Sequence, residues 1–205
     1  MTYSVKEVFY TLQGEGANLG RPAVFIRFAG CNLWSGREAD RATATCRFCD
    51  TDFVGGTKYA TAGELAAIAA ALWPVGEHKR MVVLTGGEPL LQVDAALLAA
   101  LKEEWFYTAV ETNGTQPLPG HVDWLCVSPK ARAPIVLHDA DELKLVWPQR
   151  GAEPERFDDF AAVYRWLSPM AGPRRGVNTR SAAEYCKTHP AWRLAIQAHK
   201  FWRVR

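Results

Sequence analysis

The sequence predicts an α/β fold of parallel strands joined by crossover helices. Short apolar runs recur along the chain, each followed by a polar or glycine-rich turn and often by a helix-forming stretch. That is the rhythm of βα units. Polar groups gather just after these runs, and in barrels and open parallel sheets ligands bind at the carboxyl ends of strands. At 205 residues the chain is long enough for one domain with ample core, so 1–205 is read as a single unit.

The first run, 5–10, leads into Leu12-Gln13-Gly14-Glu15-Gly16, whose glycines permit a close turn or an ordinary hairpin. The second, 23–29, is apolar on both faces except for Arg27, as in a strand covered on both sides. An unpaired buried charge is costly, so Arg27 needs an acid from another strand or an anionic ligand. Thr61-Ala62-Gly63-Glu64 reads as a capping box, and the alanine-rich stretch after it as a helix to about residue 72. A buried strand over 80–84 runs into Thr85-Gly86-Gly87-Glu88-Pro89. This turn exposes backbone amides and sets a carboxylate beside them, which suits a ligand with an ammonium group. A helix over 93–103 follows, with Asp94 as its cap.

Strands are expected at 106–110, before Glu111-Thr112-Asn113-Gly114, and at 124–127, before Ser128-Pro129-Lys130. Two more are expected at 142–147 and at 164–167, the latter before Ser168-Pro169-Met170. A helix is expected over 154–163 and another over 178–189, stopped by Pro190. A last short run, 194–196, leads to Gln197-Ala198-His199-Lys200. Cys31, Gly87, Glu111, Ser128 and Ser168 would then share one mouth.

Three of the five cysteines, Cys31, Cys46 and Cys49, fall in one stretch, the last two as C-x-x-C with Phe48 before the second thiol. Soft thiolates select zinc, copper(I) or iron–sulfur. Structural zinc wants four protein ligands, and this stretch has no histidine. Three thiolates on a [4Fe–4S] cluster leave one iron open for a cofactor. A redox dithiol, a zinc site completed by a distant histidine and simple packing cysteines are the competing readings. Cys126, in an apolar run, and Cys186, in a helical pattern, are expected in the core.

Composition narrows the class. A net charge of +2 is too small to argue for a nucleic-acid partner, and no apolar run reaches membrane-spanning length. An odd number of cysteines with no apolar leader run suggests a reducing cytoplasm.

Taken together, the cysteines after an early strand, the aromatic before the last thiol and T-G-G-E-P one βα unit later resemble the radical S-adenosylmethionine enzymes. The spacing here is C-x14-C-x2-C, where that superfamily commonly has C-x3-C-x2-C. With F-Y-T-L-Q-G-E-G, R-F-A-G-C-N-L-W-S-G, C-R-F-C-D-T-D-F, E-T-N-G, V-S-P-K and Q-x-H-K, it resembles the 7-carboxy-7-deazaguanine synthase family along nearly the whole chain.

The resemblance implies a shortened, partly open TIM-like barrel of about six parallel strands with few crossover helices, in a homodimer. It implies that 6-carboxy-5,6,7,8-tetrahydropterin is converted to 7-carboxy-7-deazaguanine and ammonia, with a [4Fe–4S] cluster, S-adenosylmethionine, Mg2+ and an electron donor such as a flavodoxin or ferredoxin. Cys31, Cys46 and Cys49 would hold the cluster. Phe48, Cys49, Asp50, Gly87, Ser128, Pro129, Lys130 and Ser168 would lie beside S-adenosylmethionine, and Thr51 would bind Mg2+. Leu12, Gln13, Gly14, Arg27, Thr85, His199 and Arg205 would contact substrate. Ser168-Pro169-Met170-Ala171 departs from the family's Gln-Pro-Met-Asp, leaving a cofactor contact weaker or carried by backbone and water. A glycyl-radical activase is the enzymatic alternative, opposed by the compact length and the lack of further cysteines. A zinc-stabilised binding module is the non-enzymatic one.

Overall fold

A computed structural model of the protein describes residues 2–76 and 79–204. The strands are β1 (Tyr3–Leu12), β2 (Pro22–Phe28), β3 (Thr57–Tyr59), β4 (Met81–Gly86), β5 (Tyr107–Thr112), β6 (Trp124–Val127), β7 (Asp139–Trp147), β8 (Ala161–Pro169) and β9 (Trp192–Leu194). The helices are α1 (Ala62–Ala71), α2 (Ala95–Glu103), α3 (Arg175–Thr188) and α4 (Ala198–Trp202). All nine strands form one open sheet in the order β3-β1-β2-β4-β5-β6-β7-β8-β9. No helix among the described residues is long and apolar enough to cross a membrane.

As expected, the sheet is open and mostly parallel: the parallel strands, about six by expectation, number seven, β2 and β4 to β9, with two antiparallel strands at one edge. β1 is antiparallel to β2 because residues 13–21 turn back on themselves: Gln13 N donates to Arg21 O and Gly20 N to Gln13 O, each at 2.8 Å. That link is too short for a crossover. β3 went unread because three residues carry no period. Gly56 makes its pairing with β1 possible, since a Cβ there would lie 2.1 Å from the Val5 carbonyl oxygen.

α1 starts as expected: the Thr61 hydroxyl accepts from Glu64 N, and Glu64 reaches back to Ala60 N at 2.8 Å. At α2, Asp94 Oδ1 accepts from Leu97 N at 2.9 Å and from the Tyr3 hydroxyl at 2.7 Å, so one cap also fastens the helix to β1. The helix expected over 154–163 is corrected to a 3-10 turn, Pro154–Phe157, followed by the start of β8. Phe157 and Phe160 are both buried, and one turn is enough to bury them. β7 is already extended from Asp139, and Ala161 pairs with it there.

Alternation divides the sheet into two faces. Val24, Ile26, Phe28, Val82, Leu84, Val110, Leu143, Leu145 and Leu167 belong to the main core with Leu65, Leu97 and Leu101 of the helices. Phe25, Arg27, Thr85, Glu111, Lys144 and Ser168 lie on the opposite side and line a cavity. The sheet curls around that cavity, because the loop after β1 reaches β7 across it: Lys144 Nζ lies 2.7 Å from Glu15, and Ala17 N donates to Glu142 at 3.0 Å.

Candidate active site

The cysteines are held at the carboxyl ends of β2 and β4, where two glycines remove the side chains that would keep these ends apart. A Cβ on Gly86 would lie 2.2 Å from Phe28 O, and one on Gly87 2.0 Å from Gly30 O. The bared backbone bonds instead, with Gly87 N donating to Phe28 O and Glu88 N to Gly30 O.

Glu88 corrects the reading of this turn. Its carboxylate is fully buried and points into the protein, accepting from Leu90 N at 3.0 Å, the Thr112 hydroxyl at 2.6 Å and Asn113 N at 2.7 Å. Asn113 Nδ2 in turn donates to Asn32, beside Cys31. The G-G-E-P and E-T-N-G turns thus brace each other beneath the first cysteine. Burial raises the Glu88 carboxyl above its ordinary range, against these bonds.

The insert between Cys31 and Cys46 is anchored rather than loose. Leu33 and Trp34 are buried, and Trp34 meets Phe53 edge-on, ring centroids 5.6 Å apart. Arg41 lies over the Trp34 ring at 4.0 Å and grips Glu38 at 2.7 Å. It also donates to the carbonyls of Arg47 at 2.9 Å and Cys49 at 3.1 Å. One guanidinium therefore ties the insert to the C-x-x-C loop.

All five cysteines are free. Cys31, Cys46 and Cys49 line one recess of about 170 Å3 with Gly87, Thr85, Ser128 and Lys130. The neighbouring Cys46 thiol holds Cys49 down at about 6, and the same pairing pushes Cys46 well up. The Thr51 amide and hydroxyl also lower Cys49. Among the described residues no three His, Cys, Asp or Glu side chains converge on a single ion. Three soft sulfurs and, among the described residues, no histidine line that recess, which suits a cluster, where each thiolate would take its own iron, better than a four-ligand zinc site. Cys126 is buried and Cys186 packs against the core, as expected.

Cys46 and Cys49 also line the larger cavity, of about 430 Å3, within the range of small-molecule sites. Its floor is a charge network. Lys144, 8% exposed, lies 2.7 Å from Glu15 and 3.5 Å from Glu111. Gln13 donates to Glu111 at 2.9 Å and Gln197 to Glu15 at 3.0 Å. Burial opposes ionisation of Glu15, but the Lys144 ammonium outweighs it and draws the carboxyl from 4.5 to about 2. The two carboxylates likewise hold Lys144 charged against its burial.

A profile of the radical SAM superfamily matches residues 40–167. A 7-carboxy-7-deazaguanine synthase of Burkholderia multivorans is 56% identical over 100% of both chains, and one of Caulobacter vibrioides 59% identical over 98% of each. The chain belongs to the 7-carboxy-7-deazaguanine synthase family. As a member it is a radical SAM enzyme, working with a [4Fe–4S] cluster and S-adenosylmethionine. The crystal structure of QueE from Escherichia coli superposes with a TM-score of 0.73 at 29% identity, covering 97% of this chain and 95% of that one.

Of the residues that the family pattern singles out, Leu12, Gln13, Gly14, Arg27, Thr85 and His199 line the larger cavity together with Phe48, Cys49, Asp50, Thr51, Ser128, Lys130 and Ser168. Gly87 faces the smaller recess. Pro129 lines neither; its carbonyl accepts from Gln149. Arg205 lies outside the described residues. Arg27 is half-buried and already has an acid from another strand, with Nε 2.9 Å from Glu7. Gly14 has no room for a side chain, since a Cβ would sit 2.4 Å from His199 Nδ1. Burial holds the His199 imidazole below its ordinary value. Lys130 donates to the Ser128 carbonyl and, at 2.8 Å, to its hydroxyl.

Glu15, Lys144 and Gln197 were not singled out, although they build the floor. For Lys144 a signal was present: it and Glu142 alternate with Leu143 and Leu145, which marks two charges turned to the side opposite the core.

Proposed function

We propose that the chain converts 6-carboxy-5,6,7,8-tetrahydropterin to 7-carboxy-7-deazaguanine with loss of ammonia, a step in making queuosine and other 7-deazapurines. Family membership supports this, and one observation carries it to these residues. The recess with the three thiols and the cavity with Leu12, Gln13, Gly14, Arg27, Thr85 and His199 share Cys46, Cys49, Thr85 and Lys130 on their walls. A cofactor on the cluster and a substrate on the charged floor would therefore meet.

When bound, the cluster and S-adenosylmethionine would supply the one-electron chemistry that removes hydrogen from the pterin. The protein binds, orients and excludes water. Cys31, Cys46 and Cys49 hold the cluster, and Phe48, Cys49, Asp50, Gly87, Ser128, Lys130 and Ser168 bound the S-adenosylmethionine site. Arg27 offers its guanidinium to the substrate carboxylate, a pairing with two-pronged geometry. Its bond to Glu7 fixes the side chain beforehand. His199 closes the substrate side. Mg2+ takes oxygen ligands and keeps waters, so Thr51, turning its hydroxyl from Cys49, would share the ion with substrate.

Residues 1–205 act as one domain, in the cytoplasm, and two copies pair. Phe201 and Trp202, 67% and 43% exposed, support a partner on the C-terminal helix. A flavodoxin or ferredoxin supplies the electrons. The test is anaerobic incubation of the iron-loaded protein with the pterin, S-adenosylmethionine, Mg2+ and dithionite. Product of the mass of 7-carboxy-7-deazaguanine is expected, and its absence from cluster-replete protein overturns the reading.

A further inference from the structure

The short helix α4 is tied to three separate segments of the chain. Its first amide, Ala198 N, donates to the Gly14 carbonyl at 2.9 Å, and the His199 ring fills the space that a side chain on Gly14 would take. Lys200 Nζ reaches Asp50, next to Cys49, at 3.0 Å and Gln197 Oε1 at 2.7 Å. The Phe201 ring lies under the Arg175 guanidinium of α3, 5.3 Å away. Gln197 in turn donates to Glu15 at 3.0 Å, and Glu15 holds Lys144 at 2.7 Å. One chain of polar contacts therefore runs from Asp50 through Lys200, Gln197 and Glu15 to Lys144. It begins beside the third cluster cysteine and ends in the buried floor, and all five residues line the main cavity.

The outer link of this chain adds little to stability. The side chains of Lys200 and Asp50 are 36% and 54% exposed, and an exposed ion pair contributes little. Nor can α4 hold itself in place. It has five residues and no side-chain cap, whereas an isolated helix is marginal even at about 12–15 residues. Its position is set by its tethers, and among the described residues Lys200 forms the one ion pair between it and the C-x-x-C loop. A ligand that orders the loop at Asp50 therefore also orders α4. A second ligand on the floor then finds Gln197 and His199 already in position and binds more tightly, since less remains to be ordered. The coupling is reciprocal.

We propose that Lys200 is a positioning residue, which clasps α4 to the C-x-x-C loop and so couples S-adenosylmethionine on the cluster side to substrate on the charged floor. The proposal rests on the placement of the two ligands given above. Lys200 acts through Asp50 and Gln197 rather than on the reacting atoms.

The test measures binding to the cluster-loaded protein without oxygen and without reductant, so that nothing turns over. S-adenosylmethionine is titrated with and without saturating 6-carboxy-5,6,7,8-tetrahydropterin, and hydrogen exchange is followed at the amides of residues 198–202. In the wild type the pterin should tighten S-adenosylmethionine binding at least about fivefold, and S-adenosylmethionine alone should slow exchange in α4. In Lys200→Met both effects should vanish, while affinity for S-adenosylmethionine alone stays within about twofold, as for the loss of an exposed pair. Lys200→Arg, which can still pair with Asp50, should restore the coupling. Gln197→Met breaks the chain one link further on and should lose the coupling with the Lys200–Asp50 pair intact. Undiminished coupling in Lys200→Met overturns the proposal, as does a wild type that binds the two ligands independently. A Lys200→Met protein that loses affinity for both ligands alike, or changes its oligomeric state, would make Lys200 a structural residue and overturns it too. A wild type that binds no pterin would instead remove the substrate reading beneath it.

Discussion

On β7, Leu143 and Leu145 enter the core beneath the helices, while Glu142 and Lys144, their immediate neighbours, face the cavity side. The same strand thus serves two environments with opposite needs. The outer face is close-packed, and its stability comes from apolar area removed from water. The inner face buries charge, which is tolerable only because every charge finds a partner: Lys144 between Glu15 and Glu111, and Glu142 accepting from Trp124 Nε1 at 2.7 Å and from Ala17 N. The outer face can exchange one apolar residue for another of similar volume at small cost. The inner one has no such latitude, because removing one member strands the others.

The rim gives the sharpest contrast with the core. Cys31→Ala, Cys46→Ala or Cys49→Ala should each abolish turnover and cluster iron while leaving the fold intact. Cys126→Ala, in the buried strand β6, should keep both. Full iron content in any of the first three would detach these cysteines from the cluster.

Neighbouring residues on β7 separate the two faces. Leu145→Ala should cost about 3–5 kcal/mol of stability, by lost transfer energy and the cavity left behind. Activity per folded molecule should hold. Chemical denaturation and active-site titration of the same preparation measure both, and a loss of substrate binding without loss of stability would mean that Leu145 does not belong to the outer face.

Lys144→Met should cost on the order of 3 kcal/mol, the lower end for one half of a buried pair, and should also impair substrate binding. Its signature is a pH dependence. The Glu15 carboxyl is lowered from 4.5 to about 2, so the pairing contributes fully above 4.5 and is lost as pH falls from there towards 2. The Tm gap between wild type and variant should therefore be widest near neutrality and close over that window. A gap constant with pH would show that Lys144 acts through packing alone.

The smallest effect on stability is expected at Arg41. Its pair with Glu38 is partly exposed, so Arg41→Met should cost less than about 1 kcal/mol. The loop it holds should nevertheless loosen: hydrogen exchange at the amides of residues 46–49 should quicken, and the protein should retain less iron on dilution. Unchanged exchange would leave Arg41 a surface residue.

Much was determined by the sequence alone. The apolar runs, the capping residues Thr61 and Asp94, and the glycines before Glu88 act within a few residues of themselves, and local chemistry is what a linear reading can see. The cysteines were legible because C-x-x-C and the soft-ligand count are local too. What the tertiary structure decided lies between segments far apart in the chain. The direction of β1 depended on how tightly 13–21 turns. The stretch 154–163 gave up its helix because β7 was already waiting to be paired. Glu88 turned inward because Thr112 and Asn113, from another strand, offered it three donors with Leu90. Arg27 found Glu7 across a hairpin. Lys144 met Glu15, 129 residues away, only because the sheet curls and brings the loop after β1 to β7. A buried charge states in sequence that it needs a partner; which partner it takes is settled by the curvature of the sheet.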